Sequence, residues 1–148
     1  MRFPSLRFAL VGMLVAGHAA ANTFSVTPDV SSGNFMTYKW TIVQDGGAAQ
    51  SNPTLTLIVG QTYTFTANTS VIHPFYIKTV QETGSAGAYP TGGASGLDNS
   101  GVTSSSMPMT FTPPASAAGT LYYNCGNHAS MTGVIKVIVD PIFADGFE

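Results

Sequence analysis

Residues 121–139 read Leu-Tyr-Tyr-Asn-Cys-Gly-Asn-His-Ala-Ser-Met-Thr-Gly-Val-Ile-Lys-Val-Ile-Val, and their reading decides the rest. Leu121 to Cys125 is short and aromatic-rich, as a strand should be. After Gly133, Ile135, Val137 and Val139 alternate with Val134, Lys136 and Ile138, the period-two signature of a second strand. The link between them carries Cys125, His128 and Met131 in a Cys-x2-His-x2-Met pattern. A thiol, an imidazole and a thioether therefore share one tight loop between two strands.

The alternation extends upstream. Met36, Tyr38, Trp40 and Ile42 share one face, with Thr37, Lys39 and Thr41 opposite. Leu55, Leu57 and Val59 alternate with Thr54, Thr56 and Ile58, and Tyr63, Phe65 and Ala67 with threonines. Met109 and Phe111 repeat the pattern, and 23–26 and 75–79 read as further strands. Turn residues punctuate them at Asp45-Gly46-Gly47, Gly60-Gln61, Pro113-Pro114 and Gly119. Seven or eight short strands without a good helix predict an all-β sandwich or barrel. Residues 80–106, rich in Gly and Ser, read as a long, mobile surface connector. Met107 and Met109 read as strand-edge residues.

Only 8% of the 148 residues are charged, against about 25% in an ordinary soluble domain. That excludes coiled coils and charged disordered tails. A formal net charge of −2 leaves no basic footprint for nucleic acid. Residues 1–21 have the layout of a secretory signal peptide: Arg2 and Arg7, an apolar run from Phe8 to Ala16, then Ala19-Ala20-Ala21. The run is too short for a stable membrane span, so no lasting membrane insertion is expected. Export implies a periplasmic or secreted protein. Residues 22–140 then form one domain, and 141–148 a tail that would sort, dock or simply pack. Beyond residue 21 the chain keeps three lysines against seven acids, a formal charge of −4. It also keeps one cysteine, Cys125, and two histidines, His73 and His128. A single cysteine forms no internal disulfide, and in an oxidising compartment a free thiol needs a reason.

One reason accounts for all of these residues. Copper cycling between two oxidation states needs donors that both states accept. A soft thiolate, two imidazoles and a weak axial thioether meet that need. Zinc is the competitor, with Cys, two His and a water, but no carboxylate lies near the loop as a general base.

The motif, with His73 upstream, resembles that of the cupredoxins, the small blue copper proteins. The resemblance spans about residues 50–140, including Pro53 to Phe65 leading up to His73, and its ligand loop is amicyanin- or plastocyanin-like. It implies a Greek-key β-sandwich with one type 1 copper held by His73, Cys125, His128 and Met131. Four side-chain ligands leave no open position for substrate, and two histidines cannot build a second copper centre. An electron carrier rather than an enzyme is implied, passing electrons through His128 to protein partners that dock briefly nearby. The charge of −4 would modestly favour a basic partner. The oligomeric state stays open. Pro74 departs from part of the family, where Asn follows the upstream His and its N–H bonds the Cys sulfur. Proline has no N–H, and losing that donor should lower the reduction potential. Copper sequestration or delivery, and a structural β-sandwich module with an incidental thiol, are the readings from other classes. Tyr122 and Asn124 are expected on the outer face of their strand, as ordinary sheet surface.

Overall fold

The computed structural model describes residues 22–140. The expected leader, 1–21, and tail, 141–148, lie outside the described residues. The strands are β1 (Thr23–Asp29), β2 (Lys39–Gln44), β3 (Gln50–Ser51), β4 (Leu55–Ile58), β5 (Tyr63–Ala67), β6 (Phe75–Lys78), β7 (Leu97–Asp98), β8 (Met109–Phe111), β9 (Gly119–Cys125) and β10 (Thr132–Ile138). They form a six-stranded sheet in the order β3-β2-β1-β5-β8-β7 and a four-stranded sheet in the order β4-β10-β9-β6. Both sheets are mixed: β1 runs parallel to β5, and β10 parallel to β4. The chain crosses repeatedly between the sheets, so neither is built from one run of sequence. This is the expected all-β sandwich, with two-residue strands β3 and β7 added at the edges.

The inner faces carry the apolar half of each alternation. Phe24, Val26, Trp40, Ile42, Tyr63, Phe65 and Phe111 come from the larger sheet, and Leu57, Phe75, Ile77, Tyr123, Ile135 and Val137 from the smaller. Trp40 meets Phe75 edge-on across the interface, with ring centroids 5.2 Å apart. Met109 belongs to this core, whereas Met107 is exposed, so the two do not act as a methionine pair.

Three segments differ from expectation. The strand anticipated from Met36 begins only at Lys39. Asn34 is the cause: its side-chain oxygen accepts the Met36 N–H and its carbonyl the Thr37 N–H, turning the chain before pairing begins. Met36 is therefore exposed. Residues 80–106 are anchored rather than loosely connecting. Leu97 and Val102 are buried in the core, β7 pairs with β8, and Phe75 exchanges backbone bonds with Gly101 and Val102. Asn124 does point to the outer face, but it is buried there instead of forming sheet surface.

One glycine sets the fit behind the ligand loop. A Cβ at Gly133 would collide with the Tyr123 ring and hydroxyl. That hydroxyl donates to the Pro53 carbonyl at 2.6 Å. Gly133→Ala is expected to destabilise the protein by about 1–3 kcal/mol through overpacking. Tyr123→Phe, losing only the hydrogen bond, should cost about 1 kcal/mol. Urea denaturation of both variants checks the order.

Candidate metal centre

The centre is built where β6 and β9 meet. Their antiparallel register sets Phe75 opposite Cys125, and the pairing continues outward as the Gly126 N–H donates to the Pro74 carbonyl at 2.9 Å. That ladder fixes the turn before β6, closed by the His73 N–H on the Ser70 carbonyl, beside the end of β9. Gly126 is required here: a Cβ would stand 2.8 Å from the Pro74 ring.

The ligand loop closes on a single oxygen. The Cys125 N–H donates to the Met131 carbonyl at 2.9 Å, and Trp40 Nε1 from the other sheet donates to the same atom at 2.9 Å. Inside the loop the Met131 N–H donates to the His128 carbonyl at 3.2 Å. Asn52 adds a second tie. It is bound to Trp40 by both its side chain and its backbone, and its Nδ2 donates to the Ser130 carbonyl at 2.9 Å.

These constraints bring three of the expected donors together. One ligand atom each from His73, Cys125 and His128 lies within 4.8 Å of the others. Cys125 Sγ is 3.9 Å from His73 Nδ1 and 3.6 Å from His128 Nδ1. Two metal bonds of about 2.1 and 2.3 Å opening at about 115° would span about 3.7 Å, so the two sulfur–nitrogen spacings suit donors to one ion. Cys125 and His73 are buried, while His128 is half-exposed. Met131 is fully buried at the end of the loop. Tyr38 packs against both imidazoles, its ring centroid 6.1 Å from that of His73 and 5.4 Å from that of His128.

The sulfur is not left without a backbone donor. Pro74 supplies none, but the Asn127 N–H donates to Cys125 Sγ at 3.4 Å. The donor expected to be missing after His73 is thus matched by one from the ligand loop itself. Burial pushes the Cys125 thiol pKa up, partly opposed by the backbone N–H groups of Asn127 and His128. Burial, and then repulsion from His128, pushes the His73 pKa down. At neutral pH the metal-free site therefore holds a neutral imidazole at His73 and a protonated thiol.

The described residues thus form a β-sandwich in which a buried thiol and two imidazoles come within reach of one ion. Among solved structures the chain is similar to rusticyanin. Rusticyanin from Thiobacillus ferrooxidans is 25% identical, with 78% of this chain and 76% of that chain covered and a TM-score of 0.47. Reduced rusticyanin is 23% identical, with 78% of each chain covered and a TM-score of 0.48. The McoA multicopper oxidase from the hyperthermophile Aquifex aeolicus is 18% identical over 82% of this chain but only 27% of its own, with a TM-score of 0.42. No protein-family model matches the sequence, and no curated protein does.

Sequence spacing did not reveal Trp40, Asn52, Asn127 or Tyr38 as parts of the centre. Trp40 had one signal, as the only tryptophan in the chain. Because the buried thiol must lose its proton to bind a metal, metal uptake should release close to one proton per site at neutral pH. Affinity should rise with pH until the thiol's own pKa is passed. Metal titrations in two buffers of different ionisation enthalpy, repeated with Cys125→Ser, measure that proton and its source.

Proposed function

We propose that the protein is an exported type 1 copper protein that carries single electrons between protein partners. The observation that carries this reading is the preset triangle of one thiol and two imidazoles, buried except at His128. His73, Cys125 and His128 would hold the ion, and the Met131 thioether would be a fourth, weaker donor. Copper, when bound, supplies the one-electron couple. The chain's own part is to keep the donors in place: the closed loop, the Trp40 bond and the Asn52 tie leave little to rearrange as the charge changes. A rigid donor set lowers the reorganisation that electron transfer requires. Zinc fits the donors less well, because a buried thioether offers it nothing.

Docking is proposed around His128. Phe35, Met36, Thr83, Asn127, Ala129 and Ser130 surround it in a shallow hollow of about 220 Å³, and none of them is charged. Ile72, 58% exposed, adjoins this rim, since Asn127 Nδ2 donates to its carbonyl, and Val71, 82% exposed, precedes it. This rim is more apolar than the small residues of the loop alone. An apolar, uncharged contact suits brief association, while the net negative charge acts only on the longer-range approach. Among the described residues no helix is long and apolar enough to cross a membrane. Export itself rests on the leader-like residues 1–21.

Addition of Cu(II) should give an intense thiolate band near ~600 nm and a narrow copper hyperfine splitting. Cys125→Ser should abolish both, and Met131→Gln should shift them. A colourless protein with only weak nitrogen and oxygen bands would refute the reading. Asn127→Pro removes the N–H at the sulfur, leaves more negative charge there and favours the oxidised metal. The potential should therefore fall, as voltammetry would register. Met36→Glu should slow electron self-exchange by about tenfold or more at low salt and recover in high salt, with the spectrum unchanged.

A further inference from the structure

Lys78 is fully buried. It lies on β6 with its side chain on the outer face of the smaller sheet, opposite to the core residues Phe75 and Ile77. Its ammonium donates to the carbonyls of Glu82 at 2.6 Å, Gly84 at 3.0 Å and Thr83 at 3.4 Å. Three donors thus meet three acceptors from consecutive residues, and the following chain is wound around a cation. The segment returns to β6 through a bridge between Lys78 and Ala88 and a bond from the Thr79 N–H to the Gly87 carbonyl at 2.8 Å. Its outer contacts fall on the ligand loop. The Gly84 N–H donates to the carbonyl of Gly126, next to Cys125, at 2.6 Å. Gln81 Nε2 donates to Thr132 Oγ1, next to Met131, at 3.2 Å.

We propose that Lys78 is a positioning residue for the metal centre: it organises residues 79–88 into a strap that holds both ends of the Cys125–Met131 loop. The inference rests on that loop being the metal-binding loop, but the strap exists without the metal. A buried ammonium stripped of its acceptors is strongly disfavoured, so the carbonyls of 82–84 stay on Lys78, and Gly84 stays on Gly126. Through these contacts the strap limits how far the loop can open.

The test compares amide hydrogen exchange in the metal-free protein with spectra of the copper-loaded protein. In Lys78→Met, the Gly84 and Met131 amides should exchange at least about tenfold faster, with those of β1 and β5 unchanged. After copper loading the hyperfine splitting and the thiolate band should shift, and Lys78→Arg should restore part of that shift. Gln81→Ala changes an exposed side chain and leaves the buried lysine intact. It should speed exchange at Met131 about threefold without affecting β1, and it decides the matter alone if Lys78→Met does not fold. Unchanged loop exchange in Gln81→Ala, and in Lys78→Met if folded, would overturn the proposal. So would a uniform rise across β1 and β5, which marks a purely structural lysine. If the unaltered protein gives no blue copper spectrum, the electron-carrier reading fails while the exchange experiment still judges the strap.

Discussion

The Met131 carbonyl oxygen is the point on which the centre depends. It accepts one N–H from Cys125 and another from Trp40, so one atom closes the ligand loop and fastens it to the opposite sheet. Both bonds are buried and cannot be exchanged for water bonds without opening the sandwich. The core and the centre are therefore one construction. Trp40 fills the inter-sheet space against Phe75, and the same ring sets the height of the loop above the core. Asn52 reinforces this from the side, taking the left-handed conformation (φ +44°) that lets one residue bind both Trp40 and the Ser130 carbonyl.

Much of this was legible in the sequence because it depends on residue types that are scarce. After residue 21 there is one cysteine and there are two histidines, and the spacing of Cys125, His128 and Met131 on a strand-loop-strand segment left few ways to place them. The alternation in 55–59, 63–67 and 134–138 exposed the inner faces directly, since each of those strands has one dry side; Val139, read on the same face as Ile135 and Val137, falls past the end of β10 and is exposed. What stayed hidden depends on backbone groups or on solitary residues. The Asn127 N–H at sulfur and the Met131 carbonyl have no side-chain signature. Leu97 and Val102 lie singly in a Gly-rich stretch, so no periodicity marks them as anchors, and 80–106 reads as looser than it is. Lys78 runs against the usual exposure of lysine, and only the three carbonyls after it explain why it is buried.

The two sides of the centre have different characters. Toward the core, Cys125 belongs with Phe75, Tyr123, Trp40 and Met131 to one buried apolar cluster. Toward solvent, His128 stands at the rim with Phe35, Met36 and Ile72 around it. A site dry on one side and open through a single imidazole has one geometric way out. The same asymmetry explains why His73, on the dry side, is pushed toward neutrality by burial.

Burial of the sulfur also bears on the lifetime of the molecule. Cys125 has no exposed surface, and no second cysteine follows residue 21 to pair with it. Peroxide, glutathione and the thiols of neighbouring molecules must all reach the sulfur atom to modify it, and each is excluded by the same packing that shapes the centre. A protein with a lone thiol would ordinarily be prone to crosslinking or to irreversible oxidation. Here the residue that could end the working life of the chain is shielded until the loop itself opens.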